Sequence, residues 1–459
     1  MNSLHGPHKD TIDSLQQQID FHVGEASRLR YARNSYVAVS SLQPELLSEV
    51  FLYLVESGLR GGNSYFAPGT FSFLQVCRRW NEVAVGFSQL WSLWVAGAAK
   101  AWPLFNSRSR GGPLSLTWRP QLLNSARDIL MDPTIPRRTQ RLDFSGTSDQ
   151  LAHFFGAFDP SLPSNALSIR LQIHMPWWGN RKKLASLLPS SFPKLSKLNV
   201  GNFLPKSSSP IFTTSKLTSL KLFLPYAIKG RHNMAQFSRI LRQHPSLQEL
   251  DLNNGAIPMP GTSGAMVPFT LPRLVDLRLR GMEGDTLGFV DFIGMSSPLH
   301  NVAIHLDYLW DPTATALASA VEKILVAYYN CQEHPRKIYS VTISSPRQFR
   351  LVLESRSRSV PTSSLEIKFR ATSGLAQDEM VDETFAIFPS DDVQEFTVED
   401  LPLTHRTLQE MENLLHLRLC HQDRWDFGQA LDALSLSNPG ASTKSASAAS
   451  VSDHIHTCR

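Results

Sequence analysis

The residues of this chain that could do chemistry are few and scattered. His454, His456 and Cys458 are all metal-ligand types, but no second ligand group stands near them to complete a zinc set. Acidic neighbours occur as Asp378-Glu379, Asp391-Asp392 and Glu399-Asp400. Adjacent surface carboxylates are ordinarily solvated, and nothing around these sets one up with a raised pKa. A glycine-rich phosphate loop, a His-Glu-x-x-His pair and a Gly-x-Ser-x-Gly nucleophile turn are all missing. Cys77, Cys331, Cys420 and Cys458 are far apart, which is neither a disulfide framework nor a zinc ligand set and points to a reducing interior, cytoplasmic or nuclear. The expectation is a protein that is not an enzyme, with no catalytic residue, no cofactor and no metal.

What remains is the chemistry of docking, and it concentrates between Leu42 and Trp91. Pro44 suits a first helical position, where its fixed φ fits and its missing N–H had no intrahelical partner. Glu45 in the first turn complements the positive end of the helix dipole. With Gln43 as N-cap, Leu42 and Leu47 have the spacing of a hydrophobic staple. Leu46, Leu47, Val50, Phe51 and Leu54 recur at three- and four-residue steps and predict one apolar helix face. Phe73, Val76, Cys77, Trp80, Val83 and Ala84 predict a second helix of the same kind, closed by Leu90-Trp91.

The opening Leu42-Gln43-Pro44-Glu45-Leu46-Leu47 and the core Val76-Cys77-Arg78-Arg79-Trp80 resemble the F-box, the motif by which substrate receptors hold the Skp-type adaptor of cullin–RING ubiquitin ligases. The likeness is to the fungal type and covers roughly a tenth of the chain. Two features depart from it. Gln43 interrupts the usual Leu-Pro pair, and the gap Glu56–Gly69, with Gly58, Gly61 and Gly62, is long and predicts a mobile loop. The resemblance implies an adaptor contact through Leu42, Pro44, Glu45, Leu46, Leu47, Val50, Phe51, Val76, Cys77, Trp80 and Trp91, some of which must instead pack the motif internally.

The chain has 459 residues, 42% of them hydrophobic, enough for two or three compact units. No run of about 18 apolar residues exists, which argues against a membrane span, and residues 1–20 lack the apolar core of a secretory signal. The net charge of +5 is mild for this length, and the tightest basic run, Arg181-Lys182-Lys183, is too short to act alone. Ahead of the F-box-like stretch, Ile12, Leu15, Ile19, Val23, Ala26 and Leu29 form a helical stripe, either a short coiled-coil seam or a helix lying on the F-box. The tail from Ser435 is rich in Ser and Ala and is expected to be disordered.

After Trp118 a phrase of the form Leu-x-x-Leu-x-Leu recurs: Leu195–Leu198–Val200, Leu217–Leu220–Leu222, Leu247–Leu250–Leu252 and Leu274–Leu277–Leu279. Weaker copies begin at Leu299, Ile338, Val393 and Leu414, and degenerate ones at Leu167 and Leu365. The clear copies step by 22, 30 and 27 residues, periods typical of a solenoid. Helical patterns intervene at Met234–Leu241, Leu317–Tyr328 and Leu408–Leu415. Strand and helix in alternation predict parallel strands joined by crossovers, and one unit cannot bury its own apolar face, so neighbours must stack.

The stretch from Gln140 to Leu419 resembles a leucine-rich repeat, which implies a curved solenoid with strands on its concave side. The Asn of that family, expected eight residues after the first leucine, is absent: Phe203, Pro225, Gly255 and Met282 stand there. The ladder it supports must be made otherwise. The expected fold is thus α/β: an N-terminal helix (1–35), a helical F-box (36–100), a β/α leucine-rich-repeat-like solenoid (101–430) and a disordered tail (431–459).

Strand alternation turns the x residues of each phrase outward. Lys221, Phe223, Glu249, Asp251, Asp276, Arg278 and Arg280 are the candidate target-binding residues. Across the whole outward set, Lys and Arg balance Asp and Glu, whereas a nucleic-acid groove should be dominated by one sign. The face therefore suits a protein target of matching charge, with no nucleic acid and no membrane as partners. Together the two resemblances imply a substrate-recruiting subunit of a Skp–cullin–F-box ubiquitin ligase. The alternatives are an adaptor-bound scaffold that delivers no substrate, or a free-standing repeat interaction protein.

Overall fold

The computed structural model describes residues 6–36, 41–60, 71–95, 100–118, 132, 134–156, 165–174, 192–213, 216–225, 232–259, 269–294, 299–308, 314–330, 338–344, 349–357, 360–369, 393–399 and 416–420. Of the expected loop Glu56–Gly69, residues 56–60 instead form the last turn of a helix, Pro44–Arg60; residues 61–69, the basic run 181–183, the helix at Leu408–Leu415, the acidic pairs at 378–379 and 391–392, and the tail with His454, His456 and Cys458 lie outside the described residues. The chain divides into two compact units: residues 1–146 with 157–166, and 147–156 with 167–459. The first unit thus runs well past the expected F-box boundary at residue 100. No described helix is long and apolar enough to cross a membrane.

The first unit begins with helix α1 (Gly6–Ser35), followed by α2 (Pro44–Arg60), α3 (Arg78–Gly86) and α4 (Trp102–Arg108). Three parallel strands complete it: β1 (Leu93–Val95), β2 (Leu114–Trp118) and β3 (Thr139–Gly146). Its core is aromatic. Trp91 meets Phe105 edge-on at 5.3 Å, Trp94 lies 4.8 Å from Trp102, and the Arg108 guanidinium sits 4.3 Å above the Trp91 ring. The Arg138 guanidinium closes the hairpin after α4, donating to the carbonyl of Gly112 at 2.9 Å, to Asn106 Oδ1 and to Ser109 Oγ. Arg110 and Gly111 take positive φ there, at 51° and 72°.

The expected second amphipathic helix is not continuous. Ser72–Gln75 is a single 3-10 turn, and Cys77 is extended (φ −159°, ψ 167°), so α3 starts only at Arg78. Phe73 and Val76 therefore do not share a helix face with Trp80 and Val83. Cys77 occupies the N-cap position and lies off any helix face. The chain is held at this break by Asn81 Nδ2, which donates to the Leu74 carbonyl at 3.0 Å.

The second unit carries β4 (Ser168–Ile173), β5 (Lys197–Gly201), β6 (Ser219–Leu224), β7 (Glu249–Asn254), β8 (Phe269–Thr270), β9 (Asp276–Met282), β10 (Ile293–Gly294), β11 (Asn301–Tyr308), β12 (Ile338–Ser344), β13 (Phe349–Ser357), β14 (Val360–Phe369), β15 (Glu395–Glu399) and β16 (His416–Cys420). Strands β4 to β7, β9 and β11 pair in sequence order, all parallel, and β8 with β10 forms a small separate pair. All ten recurrent phrases fall on strands. The first leucines of successive phrases, Leu195, Leu217, Leu247, Leu274 and Leu299, are all buried.

The repeat is also written in the backbone. Ser196 and Lys197 N–H both donate to the carbonyl of Leu167; Thr218 and Ser219 both donate to Ser196; Gln248 and Glu249 to Thr218; Val275 and Asp276 to Gln248; His300 and Asn301 to Val275. Five successive coils make the same forked bond 22 to 31 residues apart in sequence. The second layer contains helix Met234–Arg242, opened by a capping box between Asn233 and Gln236, and helix Ala314–Asn330, which buries Val321, Ile324, Leu325 and Tyr328. Helix Glu283–Phe292 was not foreseen.

Two further corrections concern the repeat. The eighth position holds no asparagine, but in the first clear copy one stands a residue earlier: Asn202, at φ 69°, donates through Nδ2 to the Ile173 carbonyl at 2.8 Å and through its backbone N–H to the Phe223 carbonyl at 2.7 Å. It thereby joins three successive coils. Moreover, β12 does not follow β11. The order there is β11-β14-β13-β12-β15, with β13 antiparallel to both neighbours. The four residues 345–348 and the two residues 358–359 are too short for a parallel crossover, which needs a dozen or more. The chain must fold back as hairpins, and the returning strand β14 takes the place beside β11.

Candidate functional site

Helix α2 carries two apolar stripes rather than one. Leu47, Phe51 and Val55 are buried at successive four-residue steps. The Phe51 ring stacks on Phe73 at 4.4 Å and tilts against Trp80 at 5.3 Å. On the neighbouring face Leu46, Val50, Tyr53 and Leu54 are 57%, 43%, 72% and 47% exposed. Four-residue steps advance only 40° around a helix, so 46, 50 and 54 form a continuous second stripe. Nothing among the described residues covers it.

The expected contact residues therefore separate into groups. Leu47, Phe51 and Trp91 belong to the core; the Trp91 indole N–H donates to the Ala84 carbonyl at 2.8 Å. Their burial leaves them no surface to offer a partner. Leu46 and Val50, with Val76 on the turn before α3, are exposed. Pro44 and Glu45 are exposed at the start of α2, where Gln43 accepts the first intrahelical bond from Leu47 N–H. Leu42, Cys77 and Trp80 are half-buried, and the Leu42 carbonyl accepts from Arg79 Nη2. This bond joins the entrance of α2 to α3 across the intervening loop. Tyr53 is exposed on the same side and was missed; its place after Leu52 gave no signal until the buried stripe was known.

In the second unit, registry turns the outward residues into rows. One row reads Lys197, Ser219, Glu249, Asp276, Asn301, Ser364; the next reads Asn199, Lys221, Asp251, Arg278, Ala303, Glu366; a third reads Gly201, Phe223, Asn253, Arg280, His305, Lys368. All seven candidate target residues stand in these rows. Lys221 pairs with Glu249, which also accepts from Ser219 Oγ at 2.7 Å. Arg280 pairs with Asp307 at 3.1 Å and Lys368 with Glu366 at 2.9 Å.

At Ala303 the second row has no side chain beyond Cβ, between Arg278 on β9 and Glu366 on β14. A depression of about 400 Å³ results, walled by Arg278, Arg280 and Asp251 on one side and by Glu366 and Ser364 on the other, with His305 and Asn301 along its floor. The walls stand two strand spacings apart, ~10 Å. Burial raises the Asp251 carboxyl above its ordinary value, against the pull of Lys221 and Arg278. Burial pushes Glu249 the same way, but hydrogen bonds from Lys221 and Ser219 and the charges of Lys221 and Arg278 outweigh it and leave Glu249 low. His305 is held low by burial and by Lys368, so its imidazole is neutral at pH 7.

Ser364, His305 and Glu366 share this depression but are not set as a hydrolytic triad. Ser364 is in register with Asn301, four residues along β11 from His305, which is ~13 Å of strand. The arrangement offers hydrogen-bond donors and acceptors of both charges to a polar group laid across the strands. Ala303, Ser364 and Asp307 escaped sequence reading because only the placing of β14 beside β11, which no phrase encodes, brings β9, β11 and β14 together around the depression. Among the described residues no cluster of three or more His, Cys, Asp or Glu side chains could hold a metal ion.

No protein-family model matches the chain, and no curated protein matches it. Among solved structures it is similar to the leucine-rich repeat-containing protein LegL7 from Legionella pneumophila, at 12% identity over 67% of this chain and 74% of that one, with a TM-score of 0.23. So loose a superposition says nothing of function.

Proposed function

We propose that this chain is a substrate-recruiting subunit of a Skp–cullin–F-box ubiquitin ligase, holding a Skp-type adaptor with α2 and a protein target on the outward face of the β4–β16 sheet. The observation that carries the reading is the second stripe of α2. A soluble protein seldom leaves a continuous apolar row uncovered without a partner for it, and this row lies inside the stretch whose residues resemble the F-box. Leu46, Val50, Leu54 and Val76 are the contact residues in this reading, with Pro44 and Glu45 fixing where the helix starts. Leu47, Phe51 and Trp91 hold the stripe in place from behind.

The chain supplies proximity and no bond-making step of its own. Binding adaptor and target at once raises the local concentration of the target beside the cullin–RING core. The mixed rows of charge suit a protein target, since salt-paired residues of both signs set register and selectivity more than affinity. An interior compartment, cytoplasm or nucleus, follows from the ligase assignment.

The test is co-purification with a Skp-type adaptor, comparing wild type with Leu46→Asp/Val50→Asp. Both positions are exposed, so the variant keeps its fold, and the reading requires it to lose the adaptor. Adaptor binding that survives the double change, or that never occurs in wild type, removes the ligase reading and leaves a free-standing repeat interaction protein. A wild-type complex that supports no F-box-dependent ubiquitylation of any bound target indicates a scaffold instead.

A further inference from the structure

Helix α1 runs for 30 residues, and its apolar side chains Ile12, Leu15, Ile19, Phe21, Val23, Leu29 and Tyr31 are each more than half exposed. It does not lie against the F-box-like helices in the manner the stripe allowed. A single exposed helix of this composition has little to hold it, because helical stability in proteins comes mostly from packing an apolar face.

Taking Ile12 as heptad position a places Ile19 and Ala26 at a, and Leu15, His22 and Leu29 at d. Val23 falls at e and flanks the seam. Glu25 falls at g and Arg30 at e, five residues apart, the spacing at which g of one helix meets e of its partner in a parallel pair. Two symmetric Glu25–Arg30 bridges then form across the seam. Among the described residues Glu25 has only exposed bonds within its own helix, from Arg28 at 3.1 and 3.3 Å, which are weak and easily exchanged. An antiparallel pair sets g against g, bringing Glu25 near Gln18, and forms neither bridge. His22 at d meets its own copy in the parallel arrangement, a polar layer that fixes register at some cost in stability.

We infer that α1 is a dimerisation helix whose partner is α1 of a second copy of this chain, packed parallel and in register. The occupant is identified by charge: the sequence is self-complementary at Glu25 and Arg30 in that orientation. Phe21 and Tyr31 lie at c and f, off the seam, and stay in solvent. The inference is independent of the ligase reading, because none of these residues belongs to α2 or to the sheet.

Sedimentation equilibrium of the full chain from low to tens of micromolar decides it. Wild type should move from one chain mass to two, and Leu15→Asp/Ile19→Asp should remain at one throughout. Glu25→Arg alone should weaken the dimer by about tenfold, two bridges becoming two repulsions, and Arg30→Glu added to it should restore wild-type association. A monomeric wild type overturns the inference, as does a dimer that survives Leu15→Asp/Ile19→Asp. Equal dimerisation by Glu25→Arg and the double reversal overturns the parallel register.

Discussion

Two substitutions on adjacent residues of α2 should behave oppositely. Phe51 is fully buried, stacked on Phe73 and touching Trp80. Truncation to Ala gives up about 150 Å² or more of apolar burial, ~4 kcal/mol at 25 cal/mol per Å², and measured Phe→Ala costs in cores are about 3–5 kcal/mol. Val50, one residue earlier, is 43% exposed. Val50→Ala loses a fraction of one partly buried side chain and gains helix propensity of about 0.6 kcal/mol, so its net effect stays within ~0.5 kcal/mol. Five of the nine tryptophans, at 80, 91, 94, 102 and 118, lie in the first unit, so intrinsic fluorescence in urea is weighted toward that unit. With two compact units a single global stability is not defined; the midpoint of the fluorescence transition is the quantity to compare. Phe51→Ala should lower it by about 2 M, while Val50→Ala leaves it in place. Equal shifts from both, or none from Phe51→Ala, would refute the division of α2 into a structural and a free stripe.

Other outcomes follow from the second unit. A Cβ on Gly281 would stand 2.6 Å from Ile257 Cδ1 and 3.0 Å from Thr286 Oγ1, both residues buried, so Gly281→Ala should destabilise this unit by about 1–3 kcal/mol, read by calorimetry. His244 is buried, its two ring nitrogens find no partner among the described residues, and burial lowers its pKa from 6.5 to about 4. Between those values only the unfolded chain takes the proton, so stability falls as pH drops from about 6.5 to about 4, by roughly 3 kcal/mol in all, then levels. His244→Leu should flatten that slope, and a variant with the wild-type slope disproves the assignment. Glu249 is held low by Lys221 among others; its contribution is present above its ordinary 4.5 and lost as pH falls through the lower folded value. The advantage of wild type over Lys221→Met in urea midpoint should therefore be larger at pH 7 than at pH 3.

Much of this protein was legible locally. Each Leu-x-x-Leu-x-Leu phrase is short, self-contained and alternates with period two, so every one became a strand; the amphipathic patterns at Met234–Leu241 and Leu317–Tyr328 became helices for the same reason. Pro44 marked the start of α2 because its ring restricts φ wherever it stands. Such signals depend on a residue and its near neighbours alone.

Tertiary structure decided what pairs with what. Leu46 and Leu47 are the same residue type one position apart, and only the packing of the folded first unit makes one core and the other surface. A 3-10 turn broke the periodic run Phe73–Ala84 because packing against Phe51 and the Asn81 bond to Leu74 outweighed helix continuity. The depression at Ala303 needed β14 beside β11, 63 residues apart at Asn301 and Ser364, and that adjacency arises from two hairpin reversals. The amino-acid sequence by itself determined the kind of element at each repeat and which side of each strand faces inward, because propensity and periodicity act over a few residues. The neighbours of each strand, the free face of α2 and the charges that meet on the sheet were decided only by the folded chain, because they depend on contacts that no local spacing encodes.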